Sequence, residues 1–326
     1  TKKRKWTLKI MKKLLMLTIL LTSCSMINKN EIDIYENRKP KSKKEHVQTK
    51  IEEKKEEENK TFSYDIPKIE YIRVKDSSSN KIMVLDIETY LYSVVTHEVG
   101  SSFPMQALMA QAIAARTYAY NNILKNAKNN FDVYSSTTSQ VYKKITVVND
   151  KIRKAVDDTK GMIMIHDGKP INALYHASSG SRTLSAHQVF GSDIPYRISV
   201  QEFSDYKLWS YKIKMSELSK KLGYNIKDIK VENENTDEII VKNVIINDKY
   251  KISANKFRSK VGNTKIKSVN FVVTVTDDIV SFEGIGYGHG VGMSQHGAKN
   301  LALHYGYTYD MILKHYYTNI EIIKIY

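Results

Sequence analysis

Apolar residues follow two different rhythms along this chain, and the change of rhythm marks its elements. In Lys68–Val74 and Lys81–Leu85 they read as strands, and Asp76-Ser77-Ser78-Ser79-Asn80 between them has turn chemistry. Ile87, Leu91, Val94 and Val95 then switch to helical spacing. Asp86 suits the N-cap and Glu88 the first turn, so a helix is predicted to about His97. A second helix is expected from Ser102, with Pro104 in its first turn. Its Ala107, Ala110, Ala112, Ala114, Ala115 and Ala119 imply close packing on several sides.

Further along, the pattern predicts strands over 161–166, 171–176, 209–215, 238–246, 269–275 and 280–283. Helices are expected over 216–222, 298–304 and 309–317. Helices and strands mix without regular βαβ alternation, which makes the expected fold class α+β and not a doubly wound sheet. The folded region is expected to span 62–326 as one main domain, with a strand-rich peripheral insertion at about 203–262.

The N-terminal part reads differently. Lys12 and Lys13 precede an uncharged run, Leu14 to Leu21, that is too short to span a bilayer. It ends in Leu21-Thr22-Ser23-Cys24, which resembles a bacterial lipobox. Residues 1–24 are therefore expected to be a lipoprotein signal, with Cys24 the lipidated residue and Met11 a suitable start. A plain secretory signal with an incidental cysteine is the alternative. Acyl chains contribute roughly 0.8 kcal/mol per buried CH₂, so two or three anchor stably. Residues 25–61 are rich in Lys, Glu and Asn, and Ile51 to Lys60 lacks an apolar face, as expected of a charged, disordered tether.

Composition narrows the classes. With 26% charged and 41% hydrophobic residues, the 326-residue chain is neither a polytopic membrane protein nor wholly disordered. Its single cysteine excludes an intramolecular disulfide and a multi-cysteine zinc site. The net charge is +16, but the first 60 residues carry half of that excess. The mildly basic remainder argues against nucleic acid and suits an anionic surface, such as lipid headgroups or a cell wall.

Four stretches could carry chemistry. In Thr96 to Pro104, His97-Glu98 begins a His-Glu-x-x-His pattern that fails at Ser101. Glu98 is left at a helix–helix junction, where burial would raise its pKa as a general acid needs. Taken alone, a glutamate near a helix end is most often structural. Arg116 on the Ala-rich helix needs a partner or an exit to water: Glu98, a substrate oxygen, or an exposed stripe. Tyr175 to Thr183 follows a strand and is dense in hydroxyls. A serine nucleophile with His176 as base is conceivable there, but the Gly-x-Ser-x-Gly elbow is absent, and such loops are usually turns or sugar contacts. In Gly284 to Ala298, glycine occupies every second position up to Gly292, which fits neither Gly-x-Gly-x-x-Gly nor a P-loop. That density lets backbone approach a ligand or another strand; Ser294 and Gln295 then open a helix.

Together these stretches resemble the stage II sporulation protein D family, which includes the amidase-enhancer proteins. The pieces lie in order: Glu88-Thr89-Tyr90-Leu91, Val94 to Pro104, Ala107 to Tyr118, Gln140-Val141-Tyr142, Tyr175 to Thr183, Val189-Phe190-Gly191, Phe257-Arg258, Gly284 to Ala298 and Ile312 to Tyr317. The resemblance implies a peptidoglycan lytic transglycosylase with Glu98 as the catalytic acid and Arg116 as the family arginine. Tyr175, Ser178, Ser179, His289, Ser294 and Gln295 become candidate glycan contacts. Some clostridial members bind zinc near the segment matching Asp132 to Gln140. Tyr134, Thr138 and Ser139 stand there in this chain, so no metal and no cofactor are expected. The expected partners are peptidoglycan glycan strands, a cell-wall amidase and a membrane held through the lipid anchor, with no nucleic acid. The expected location is outside the cytoplasm, facing the wall or periplasm. A non-catalytic wall-binding enhancer of an amidase is the competing reading.

Overall fold

The computed structural model describes residue 64 and residues 66–205, 207–234 and 239–326. The expected signal, Cys24 and the tether lie outside the described residues. Strands β1 (Tyr71–Lys75) and β2 (Ile82–Asp86) form an antiparallel hairpin. In its turn Asp76 Oδ1 accepts the backbone N–H groups of Ser78 at 3.0 Å and Ser79 at 2.6 Å. A short β3 (Val133–Tyr134) lies parallel to β1. β2 runs directly into α1 (Ile87–Glu98), where the Asp86 carboxylate accepts from Thr89 N at 2.8 Å, a cap worth about 1 kcal/mol.

Helix α2 (Met105–Lys125) starts later than the expected Ser102. Pro104 stands at its N-cap in an extended conformation, with φ −58° and ψ 151°. The proline ring disfavours helical geometry at the preceding Phe103, which displaces the start. The alanines of α2 are buried, and α1, α3 (Asp150–Asp158) and β4 (Met162–His166) pack on it. Two C-terminal helices, α7 (Gln295–His304) and α8 (Tyr309–Tyr316), complete its surroundings. β4 is the middle strand between β5 (Lys169–Pro170) and β14 (Glu321–Lys324).

A second apolar core is built largely from strands. β7 (Leu208–Lys214), β11 (Phe271–Thr276) and β12 (Ile279–Ile285) form an antiparallel sheet with β12 central. β8 (Ile229–Asn233), β9 (Val241–Ile246) and β10 (Tyr250–Ser253) form another. Helices α5 (Met215–Leu222) and α6 (Ala254–Val261) contribute Leu218 and Phe257, which join Phe271 and Phe282 in this core. The fold is thus α+β. Periodicity did not announce α3 and α6, which are short and largely polar, or α4 (Ala186–Phe190), whose five residues are too few to show a helical period.

The expected strand over 171–176 is only β6 (Tyr175–His176). Upstream, Leu174 N bonds back to Asn172 O at 2.9 Å, a tight turn that interrupts extension. β6 pairs in parallel with β13 (Met293–Ser294), so the glycine-rich strap before β13 is drawn onto 174–179. Gly292 has φ +73°, and a Cβ there would lie 2.1 Å from Leu174 O. Gly288 has φ +122°, and its Cβ would lie 2.6 Å from His176 Cβ. Here glycine serves close backbone approach to a strand.

Candidate active site

Glu98 is the last residue of α1, partly open to solvent. Its Oε1 accepts Val141 N at 3.0 Å and its Oε2 accepts Gln295 Nε2 at 3.2 Å. The Tyr175 hydroxyl hydrogen-bonds the same carboxylate. That hydroxyl accepts from Gln140 Nε2 at 3.0 Å, while Gln140 Oε1 accepts from Tyr90 OH at 2.9 Å. Burial raises the Glu98 pKa above the ordinary carboxylate range, against the three hydrogen bonds, which pull it down. The C-terminal end of a helix is also unfavourable for a negative charge. Among the described residues, no ion pair holds Glu98 and no second carboxylate hydrogen-bonds it. The arrangement can hold a proton and hand it to a group entering from the open side.

Arg116 lies elsewhere. Its side chain is fully buried and grips Glu88, not Glu98: Nε to Oε1 at 2.9 Å and Nη2 to Oε2 at 2.7 Å. It also donates to the carbonyls of Met162 and Val156, both at 3.2 Å. Glu88 Oε1 further accepts Tyr326 OH at 2.7 Å and Gly161 N at 3.3 Å. Arg116 therefore fixes the first turn of α1, the helix whose last residue is Glu98. The expectation that it pairs with Glu98 or meets a substrate oxygen is corrected.

The other sequence-selected residues divide among three places. Tyr175 and Gln295 join Glu98. Ser294 does not face it: fully buried, its Oγ caps α7 by accepting Gly297 N at 3.1 Å. Ser294 also hydrogen-bonds the buried Glu202, whose carboxylate accepts Phe203 N at 2.8 Å and Ser204 N at 2.9 Å. Ser178, Ser179 and His289 gather with His176 on the other side of β6, as the two-residue period of a strand requires. Ser179 Oγ donates to His176 Nε2 at 2.5 Å, and His176 Nδ1 donates to Val291 O at 3.2 Å. Burial pushes the His176 pKa down to about 3, so it is a weak base oriented by a carbonyl instead of a carboxylate. That disfavours the serine-nucleophile reading.

The sequence assigns no place in the site to Gln140, Val141 or Tyr90, and gives Glu88 only a place in the first turn of its helix. Gln140-Val141-Tyr142 is the signal that could have led to the first two, an apolar and amide pair within a Ser/Thr-rich loop. The zinc-bearing segment of some relatives offers only Asp132 here, and Arg73 holds that carboxylate at 2.5 Å. These residues do not fit a zinc ion.

Comparison with known proteins follows the same segments. The stage II sporulation protein family matches residues 75–166, which include Glu88, Glu98 and Arg116. Stage II sporulation protein D of Bacillus subtilis is 30% identical over 303 residues, covering 86% of this chain and 85% of that protein. The chain belongs to the stage II sporulation protein D family. An uncharacterised protein of Brachyspira hyodysenteriae is 36% identical over 247 residues, 73% of this chain and 67% of its own length. The amidase enhancer of Bacillus subtilis is 28% identical over 284 residues, 70% of this chain but only 39% of the enhancer. The family match ends before Tyr175 and Gln295, so the full Glu98 setting emerges only from the three-dimensional arrangement.

Proposed function

We propose that this family member is an exported, wall-associated lytic transglycosylase that cuts peptidoglycan glycan between N-acetylmuramic acid and N-acetylglucosamine. The observation that carries the reading is Glu98: a carboxylate with a raised pKa, held by three neutral groups and, among the described residues, without a second carboxylate bonded to it. Hydrolytic glycosidases usually use two carboxyl groups, one of them to activate water or attack the sugar. One suffices when the substrate supplies its own nucleophile. Protonated Glu98 gives its proton to the bridging oxygen as the C1–O bond breaks. The resulting carboxylate takes the proton of the muramic C6 hydroxyl, and that oxygen closes on C1 as a 1,6-anhydro sugar. Glu98 is left protonated, ready for another turn. The neutral donors Val141 N, Gln295 and Tyr175 steady the carboxylate between the two transfers. Cys24 supplies the lipid anchor, placing the domain against the wall.

Digestion of peptide-free glycan, followed by mass spectrometry of the ends, tests the reading. Anhydro-muramic ends from wild type and their loss in Glu98→Gln are expected. Reducing ends, or anhydro ends at near wild-type rate from the variant, would refute it. The amidase enhancer's similarity favours a second reading, wall binding that assists a separate amidase. Glycan binding without cleavage by either protein would support that alternative.

A further inference from the structure

Behind β6, away from Glu98, a narrow pocket is lined by Ser178, Ser179, Arg182, Asn270 and His289 among others, and no Asp or Glu lines it. Three of its polar groups are uncommitted. Ser178 is 2% exposed, yet its Oγ has no hydrogen-bond partner. The Asn270 side-chain amide makes no hydrogen bond among the described residues; a Cβ on Gly180 would lie 2.8 Å from its Nδ2. Arg182 spends Nε and Nη2 on Ser199, leaving Nη1 without a partner among the described residues.

The surroundings are electropositive. Arg258 bonds the carbonyls of Ile266 and Lys267 and the Asn255 side chain, and Arg197 leaves its Nε buried and unpaired. Neither these two arginines nor Arg182 meets a carboxylate among the described residues. Both depress the pKa of His289, after burial, which is the larger cause. The histidines add no charge of their own. His289 Nδ1 accepts Val291 N at 3.1 Å, and its ring donates to the Tyr175 carbonyl. The Ser179 proton is committed to His176.

We propose that this pocket is a carboxylate-binding subsite, with Arg182 Nη1, Ser178 Oγ and the Asn270 amide as the donors. A guanidinium, a hydroxyl and an amide without a nearby acid match an anionic oxygen pair and leave its charge unopposed. An uncharged hydroxyl would leave that positive field uncompensated. The glycan-cleaving reading decides only where the carboxylate comes from: the lactyl group of muramic acid or a stem peptide.

Ligand-observed NMR on the whole chain, in the Glu98→Gln background so that nothing is consumed, tests this. The probes are N-acetylmuramic acid, N-acetylglucosamine, an alanyl-glutamate dipeptide and inorganic phosphate. At least one carboxylate probe should bind about tenfold more tightly than N-acetylglucosamine, roughly the worth of one charge-assisted bond. Arg182→Ala, a change at an exposed side chain, should abolish that margin; Ser178→Ala should reduce it. A preference for the sugar acid assigns the lactyl group, and a preference for the dipeptide assigns the stem peptide. Equal binding of all probes, a margin that survives Arg182→Ala, or phosphate matching the carboxylates would overturn the proposal. Binding is read without turnover, so an inert Glu98 would leave this site standing, and failure here would leave the Glu98 reading untouched.

Discussion

Helix α1 carries a glutamate at each end, and the two live in opposite settings. In the first turn, Glu88 is 7% exposed and has a full set of partners: the Arg116 fork, the Tyr326 hydroxyl and the Gly161 N–H. In the last turn, the hydrogen-bond donors to Glu98 among the described residues are all neutral, and one side is open. A buried carboxylate gripped by a guanidinium and further donors spends its oxygens on fixed partners and presents neither to an incoming group. One desolvated among neutral donors keeps its proton longer. In the proposed mechanism one helix thus separates an anchor from the proton donor, with about 15 Å of helix between them at 1.5 Å per residue.

The comparison breaks most visibly in activity. Glu98→Gln should lower glycan cleavage by at least about 10²–10⁴-fold, the usual contribution of general acid–base catalysis, with an unchanged circular dichroism spectrum. Glu88→Gln should leave much of the rate per folded molecule while lowering the amount of folded protein. Equal rate losses in the two variants would remove the distinction between them.

Stability should show the reverse order. Removing one partner of a buried pair costs about 3–5 kcal/mol because the other charge is left unpaired. Arg116→Met should therefore shift the urea midpoint strongly, and Glu88→Leu in the same chain should restore part of the loss. If Arg116→Met leaves the midpoint in place but stops cleavage, Arg116 touches the reaction directly and the anchor reading is wrong.

A third change sharpens the reactive end. Tyr175 and Gln295 each hydrogen-bond the Glu98 carboxylate and so lower its pKa. Deleting either bond, in Tyr175→Phe or Gln295→Leu, should raise that pKa. The first step of the proposed mechanism needs Glu98 protonated, so activity should be lost as pH rises through its pKa. The alkaline limb of the pH–rate profile should move upward in both variants. A limb that stays in place would mean that another group donates the proton.

How far the sequence revealed this division depends on range. Asp86, Glu88 and the helical spacing after them were legible because caps and periodicity are local. Glu98 stood out only as the remnant of a failed zinc pattern within a family resemblance. The partner of Arg116 was not legible: 28 residues separate it from Glu88, and only the packing of α2 on α1 decides between the two glutamates. Gln295, 197 residues from Glu98, is a candidate glycan contact in the sequence, and its bond to the carboxylate was not legible there. Ser294 beside it is a candidate contact on the same grounds, yet its hydroxyl caps α7, since neighbours at a helix start point in different directions. Tyr175 and His176 likewise separate to opposite sides because they share a strand. Sequence proximity grouped these residues, whereas strand and helix geometry sorted them.

The smallest expected effect concerns the cost of keeping Glu98 where it is. Its folded pKa is raised, chiefly by burial, so the native state holds this proton to higher pH than the unfolded chain does. Stability contributed by that proton is complete below the unfolded value of about 4.3 and declines as pH rises through the folded value. Above it, the native protein carries a charge its surroundings disfavour. Glu98→Gln removes that charge and keeps the shape. The new amide can still accept Val141 N, and Gln295 can turn its own amide to present oxygen, so a second donor is not left facing a donor. The variant should therefore be slightly more stable than wild type at neutral pH, with the advantage shrinking toward pH 4. Urea midpoints of both proteins across that range measure it. A gap that stays constant with pH would show that ionisation of Glu98 is not its source, and a variant less stable at neutral pH would place Glu98 with Glu88 as a second anchor.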